Sequence, residues 1–368
     1  MCGDEINFVN NAFLSNWIAP AGPDIEAFEK DICKYTGAQY SVALSSGSAA
    51  IHLALQISGV KPGDDVYCST FTFAGSAFPI TYLNATPVFI DSEASSWNMD
   101  PELLRTALRE RTSKGFHPGA VITVHLYGQS ANLAAIKEVC DEFGTILIED
   151  AAESLGAFYG NKHTGIIGEF GIFSFNGNKI ITTSGGGMLI GHSKSQIDKA
   201  RHLSTQARDP FPYYEHTSIG YNYRISNICA AIGRGQITVI EERVAKRRAI
   251  YDRYQQQFSE IEGVTLMPRD IYGRGNCWLT CVIIDPKERS FVPENLRLSL
   301  EKENIESRPL WKPMHLQPIF ASTSVFTNGI SERLFKTGLC LPSGTNMSED
   351  DQDRVIEIIK NNLQFSTT

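Results

Sequence analysis

The sequence predicts an α/β fold: a mostly parallel central sheet flanked by helices, with a smaller α+β unit toward the carboxyl end. Three observations carry this expectation. Between Tyr40 and Ile190, short β-branched runs alternate with helical stretches. The runs are continuously apolar rather than alternating, as strands covered on both faces are. After Ile225 the alternation gives way to one long helical stretch and then to irregular segments. At roughly 100–200 residues per domain, the 368 residues divide into a large domain at 1–240 and a connecting helix with a small domain at 241–368.

The strands read in order as YSVAL (Tyr40–Leu44), DVYCS (Asp65–Ser69), PVFID (Pro87–Asp91), AVITVHLYG (Ala120–Gly128) and TILIED (Thr145–Asp150). The first is followed by a helix near SAAIHLALQIS, and PELLRTALRER and NLAAIKEVCDEF fill later gaps. FGIFSF and GGMLIG extend the sheet. SNICAAIGRGQITVIEERVAKRRAIYDRYQQQF reads as one long helical stretch. The small domain then contributes the strand LTCVII (Leu279–Ile284) and helices near Glu294–Asn304 and Asp350–Asn361.

Composition narrows the function. A hydrophobic content of 42% with 20% charged residues is that of a globular chain with a full core. A net charge of −8 and the lack of a Lys/Arg-rich run argue against a nucleic-acid partner. MCGDEINFVNN has neither a basic n-region nor an apolar h-region, so no secretory signal is expected. No apolar run approaches the roughly 18 residues of a membrane span. The eight cysteines are scattered, with Cys277 and Cys281 the nearest to a CxxC pair, which reads as reduced, mostly buried thiols with no metal site. A cytoplasmic location is expected.

Three features converge where ligands bind in open α/β sheets, beyond the carboxyl ends of the strands. Asp150 ends TILIED and projects its carboxylate there, although an aspartate after a strand is also an ordinary helix cap. LSSGSAAIH is a strand end, a turn and a helix start, so Gly47, Ser48 and Ala49 offer a phosphate site at a helix amino terminus. The expectation is that the N–H groups of Ser48 and Ala49 point outward. Lys179 sits in FSFNGNKIITTSGGGML, between a buried strand and three glycines. A partly desolvated amine there is a nucleophile. A phosphate cradle, a strand-end carboxylate and a buried lysine are what pyridoxal 5′-phosphate requires: the lysine carries the cofactor, and the aspartate keeps its ring nitrogen protonated. Phe73, in STFTFAGS, either stacks on that ring or belongs to the core.

EDAAESLGA, GEFGIFSFNGNKIITTSGGGML and GYNYRISNICAAIGRGQ strongly resemble the nucleotide-sugar aminotransferases of the DegT/DnrJ/EryC/StrS group, fold-type I pyridoxal phosphate enzymes. The resemblance runs from about Asn16 to the carboxyl terminus and rests on several ordered motifs at compatible spacing. It implies that Lys179 both carries the cofactor and moves the proton, that Asp150 pairs with the ring nitrogen, and that Glu153 lies near the ring hydroxyl. It implies that Ser174 binds the phosphate and that Asn222 reaches the phosphate of a neighbouring subunit, which makes a homodimer with shared sites the working unit. Tyr223 and Arg224 lie beside Asn222. Within the family, SNWIAP, RPLWKPMHLQPIF, TTSGGGMLIG and LCLPSGTNMS look closest to the transaminases that make UDP-4-amino-4,6-dideoxy-N-acetylglucosamine for bacillosamine. That subgroup implies substrate contacts at Asn16, Trp17, Ile18, Ala19, Tyr223, Arg308, Trp311, Lys312, Met314 and His315.

One departure stands out: about a dozen residues that usually precede the segment matching MCGDEINFVNNAF are short or absent, which leaves the contacts made there unassigned. The lysine is kept, unlike in related 3-dehydrases, which carry histidine instead. The implied reaction is ping-pong transfer of an amine from L-glutamate to the 4-keto carbon of a UDP-linked 2-acetamido-6-deoxy sugar. A GDP- or dTDP-linked acceptor is the alternative. A nicotinamide-dependent oxidoreductase would suit the sheet, but no GxGxxG follows the first strand. A non-catalytic cofactor-binding regulator is opposed by the presence of Lys179, Asp150 and Glu153 together.

Overall fold

The computed structural model describes residues 1–285 and 292–364, so the rest of the 241–368 unit lies outside it. The helices are α1 (Glu5–Leu14), α2 (Pro23–Thr36), α3 (Gly47–Ile57), α4 (Ala74–Tyr82), α5 (Pro101–Ser113), α6 (Leu133–Phe143), α7 (Lys194–Ser204), α8 (Asn227–Ile237), α9 (Ile240–Phe258), α10 (Pro293–Lys302), α11 (Ile330–Thr337) and α12 (Glu349–Gln364). The strands are β1 (Tyr40–Leu44), β2 (Asp65–Ser69), β3 (Thr86–Ile90), β4 (Pro118–Val124), β5 (Leu147–Asp150), β6 (Phe158–Tyr159), β7 (Lys162–His163), β8 (Phe170–Ser174), β9 (Gly187–Gly191), β10 (Val264–Leu266), β11 (Thr280–Ile284), β12 (Arg308–Pro309), β13 (Val325–Phe326) and β14 (Gly338–Leu341).

Eight strands form the large sheet, in the order β1-β9-β8-β5-β4-β2-β3-β13. All pairs are parallel except those of β9, which runs antiparallel between β1 and β8. Both faces are covered, which is why the strands read as unbroken apolar runs. Val66 and Cys68 of β2 enter one core cluster with α3 and α7, while Tyr67 enters another on the opposite face with α5 and α6.

The chain leaves β2 for β3 on one side, then returns to β4, β5 and β8 on the other. Such a reversal opens a crevice at the carboxyl ends of the strands. It sets the ends of β2, β4, β5 and β8 around one space.

A second, antiparallel sheet has the order β10-β11-β14-β12 and is packed by α9, α10 and α12 through Tyr254, Phe258, Leu296 and Ile359. Residue 240, the boundary expected from the sequence, is the first of α9. The later segment is not separate throughout, because β13 returns to pair with β3 at the edge of the large sheet.

Two elements differ from expectation. The stretch read as one long helix is two, α8 and α9, broken at Thr238–Val239 within the β-branched run Ile237-Thr238-Val239-Ile240. Such side chains lose rotamer freedom against the preceding helical turn. The strand expected to reach Gly128 stops at Val124 and tightens into a turn in which Tyr127 takes a left-handed φ of 51°.

Candidate active site

The carboxyl ends of the strands surround a cavity of about 290 Å³. Its walls come from Ser45 and Ser46 after β1, Thr72 and Phe73 after β2, Val124 of β4, Asp150 of β5 and Ser174 of β8. The turn between β8 and β9 adds Asn176, Asn178, Lys179, Gly185 and Gly186. Trp278 and Trp311 close it from the carboxyl-terminal part of the chain.

One end of the cavity is the first turn of α3. Ser46 is the N-cap, and its side chain accepts from the Ala49 N–H at 3.0 Å. This corrects one expectation. The Ala49 amide is occupied by the cap, so the outward-facing donors are the N–H groups of Gly47 and Ser48, which have no acceptor among the described residues. Ser174 closes on the same turn: a Cβ added to Gly47 would lie 3.3 Å from its own. Gly187 answers to the same crowding, since a Cβ there would come within 2.4 Å of the Ser46 carbonyl carbon. Free N–H groups at a positive helix end, with two hydroxyls beside them, form a cradle for a phosphate.

At the other end Asp150 is buried, 6% exposed. Its Oδ2 accepts from the Ser76 hydroxyl at 2.6 Å and its Oδ1 from the Ala152 N–H at 3.1 Å. Lys179 reaches in from the β8–β9 turn, its Nζ 3.6 Å from Glu153 Oε1 and 4.1 Å from the centre of the Trp278 ring. Glu153 Oε2 accepts from the Tyr127 N–H at 2.7 Å, the contact that the left-handed turn at Tyr127 makes available. Burial pushes the Glu153 carboxyl above its ordinary value, against the opposing pull of the Lys179 ammonium and the Tyr127 N–H. Phe73 is 56% exposed and stands on the cavity wall rather than in the core, its ring 5.4 Å from that of Trp311.

These residues fit pyridoxal phosphate by the chemistry of their donors. Free N–H groups and hydroxyls lie at one end, a buried carboxylate at the other, an amine between them and an aromatic face at the side.

Other expected residues lie elsewhere. Met314 is 3% exposed and belongs to the core beside the end of β2, its N–H donating to Thr70 O, so it is not a substrate contact. The His315 ring is held between Thr70 Oγ1 (2.7 Å) and Glu332 Oε1 (3.3 Å) and does not line the cavity. Lys312 is exposed, and Arg308 pairs with Glu306 at 2.6 Å on the rim of a neighbouring groove. Arg308, Lys312 and His315 therefore do not form one cationic wall. Asn16, Trp17, Ile18 and Ala19 lie at the amino end of α8, where Asn227 donates to the carbonyls of Trp17 and Ala19, and they stand outside the cavity. Asn222 is exposed, and the Tyr223 hydroxyl meets His52 Nδ1 at 3.3 Å; neither lines this chain's own cavity. Arg224 pairs with Glu29 at 3.0 Å.

Sequence reasoning missed Thr72, Ser76, Tyr127, Asn276 and Trp278. Thr72 and Ser76 stood in the same STFTFAGS stretch as Phe73, where small hydroxyl residues opening a helix after a strand were the available signal. Tyr127, Asn276 and Trp278 gave no local signal.

The model of the DegT/DnrJ/EryC1/StrS aminotransferase family matches residues 2–360. The chain belongs to this family. It is 50% identical to the candidate pyridoxal phosphate-dependent aminotransferase EpsN of Bacillus subtilis, over 98% of this chain and 93% of that one. It is 36% identical to the GDP-perosamine synthase of Caulobacter vibrioides, over 96% of this chain and 94% of that one. Among solved structures, a family aminotransferase from Brucella abortus superposes with a TM-score of 0.90 at 27% identity, covering 99% and 95% of the two chains. This chain is a pyridoxal phosphate-dependent sugar aminotransferase with the family's fold. Among the described residues no helix is long and apolar enough to cross a membrane.

Proposed function

We propose that this enzyme transfers an amine from L-glutamate to the 4-keto carbon of a UDP-linked 2-acetamido-4-keto-6-deoxy hexose. The product would be UDP-4-amino-4,6-dideoxy-N-acetylglucosamine. The observation that carries the chemistry is the meeting of Lys179, Asp150 and the Gly47–Ser48 amides in one cavity. When bound, the cofactor supplies an electron sink for the carbon that bears the amine. Lys179 would hold and move the proton at that carbon. Asp150 holds a proton on the ring nitrogen, Glu153 positions Lys179, and Gly47, Ser48 and Ser174 take the phosphate.

A groove of about 820 Å³ adjoins the cavity, and the two share Asn178, Trp278 and Trp311. Its size and aromatic walls suit a nucleotide diphosphate whose binding energy is gained away from the reacting carbon. The working unit is a homodimer in the cytoplasm, in which Asn222 serves the neighbour's phosphate. Its exposure outside its own cavity supports that role.

The UDP-linked acceptor rests on the likeness of SNWIAP and RPLWKPMHLQPIF to one subgroup. The 36% identity to a GDP-perosamine synthase favours a second reading, a GDP-linked 4-keto sugar. Steady-state kinetics on matched UDP-, dTDP- and GDP-linked 4-keto-6-deoxy sugars, with and without the 2-acetamido group, separate the two. The highest kcat/KM is expected for the UDP-linked N-acetyl sugar. An equal or higher value for a GDP or dTDP sugar overturns the substrate assignment and leaves the aminotransferase.

A further inference from the structure

The residue that grips Asp150 is Ser76, in the first turn of α4 (Ala74–Tyr82). Its Oγ lies 2.6 Å from Asp150 Oδ2, and the Thr72 hydroxyl lies 2.7 Å behind it. Both Ser76 and Thr72 are 1% exposed, so water does not compete for these groups. The direction of the chain follows from its end. An ionised carboxylate only accepts, so the single Ser76 proton must point at Asp150. Thr72 must then donate to Ser76, and the order is Thr72 to Ser76 to Asp150. Donors aligned in this way polarise one another in a buried site.

The opposite oxygen, Oδ1, takes the Ala152 N–H. Each carboxylate oxygen therefore has one donor from the protein, and these donors are neutral. No guanidinium or ammonium hydrogen-bonds to Asp150 among the described residues, so its charge is not spent on an ion pair. The same turn presents Phe73 on the cavity wall, so α4 sets both an aromatic face and the orientation of the carboxylate.

We propose that Ser76, backed by Thr72, is a positioning residue that fixes the rotamer and the charge of Asp150, and through it the proton on the cofactor's ring nitrogen. This rests on the proposed pairing of Asp150 with that nitrogen. Loss of a hydrogen bond to a buried charged group lowers a rate by about 10- to 100-fold, and that loss is expected in kcat for Ser76→Ala with little change in the KM for the keto sugar. Ser76→Thr keeps a hydroxyl and should recover most of it. Thr72→Val should fall between.

The deciding readout is the nitrogen itself. Apoenzyme is reconstituted with ring-15N-labelled pyridoxal phosphate, and the 15N chemical shift is followed against pH for the parent, Ser76→Ala, Ser76→Thr and Asp150→Asn. In Ser76→Ala the ring nitrogen should lose its proton at lower pH than in the parent, and Ser76→Thr should restore the parent titration. An unchanged titration in Ser76→Ala while Asp150→Asn alters it overturns the role of Ser76 alone. An unchanged titration in Asp150→Asn overturns the assignment of Asp150, and this inference with it.

Discussion

The indole of Trp278 lies against the amine of Lys179, with Nζ 4.1 Å from the ring centre, although the two are far apart in the chain. The contact is built rather than incidental. Asn276 donates to the carbonyls of Glu153 and Leu155, each at 2.9 Å, and accepts the Trp278 N–H at 2.8 Å. Arg247 donates to the Trp278 carbonyl, and the indole N–H reaches Asn178 O at 2.8 Å, bracing the turn that carries Lys179. Tyr127 stacks on Trp278 at 6.4 Å and on Trp311 at 6.2 Å. The carboxyl-terminal part of the chain thus finishes the seat of a lysine supplied by the large sheet.

Trp278 should therefore matter for turnover through its ring face. A cation on an aromatic face gains about 0.5–2 kcal/mol, roughly 2- to 30-fold in rate if it is lost in the rate-limiting step. Trp278→Phe keeps a face and should stay within a few-fold of the parent. Trp278→Leu should lose about 10-fold in single-turnover rate. Equal rates for Phe and Leu variants that both fold by circular dichroism would assign the loss to the indole N–H instead.

Lys179→Ala should reduce turnover by at least roughly 1,000-fold, because one amine is asked both to carry the cofactor and to move the proton. Cofactor should still bind through the α3 cradle and Asp150, measured by titration of the apoenzyme. Turnover within tenfold of the parent would remove Lys179 from the mechanism.

If Asn222 serves the neighbouring subunit, Asn222→Ala and Lys179→Ala should complement each other. Mixed dimers would hold one site with both wild-type residues, so activity should partly return after subunit exchange. Exchange demonstrated by mass spectrometry without recovery would place Asn222 within its own chain's site or outside any site.

His163 should make the fold acid-sensitive. Its Nε2 accepts from the Gly156 N–H at 2.8 Å and its Nδ1 pairs with Thr164 O at 2.6 Å, so the ring is held neutral. Burial lowers its pKa from 6.5 to about 4. Between those values the unfolded chain binds the extra proton, so stability is full above 6.5 and is lost as pH falls toward about 4. The loss approaches roughly 3 kcal/mol at the acid end. Urea unfolding at a series of pH values should show this slope in the parent and a flatter one in His163→Gln. Parallel slopes would place the sensitivity in other groups.

The sequence disclosed what a local pattern encodes. Asp150 follows a buried strand, Gly47 and Ser48 open a helix after another, and Lys179 precedes glycines that pass close to the start of α3. It could not disclose what depends on docking. Trp278 reaches Lys179 only because Asn276 ties its segment to the 153–155 turn. The Pro-rich stretch around Met314, expected to contact substrate, packs on the end of β2 and buries Met314 and the His315 ring. Ala49 departs from expectation for a smaller reason: whether a serine caps a helix decides which amide stays free, and that depends on a side-chain rotamer.

The visible absorption of the purified enzyme through both halves of the reaction tests the central claim most directly. L-glutamate alone should bleach the band of the bound cofactor. A UDP-linked 2-acetamido-4-keto-6-deoxy hexose should then restore it, with one equivalent of the 4-amino sugar formed. A band that glutamate does not change, or that no nucleotide-linked keto sugar restores after bleaching, would contradict the account.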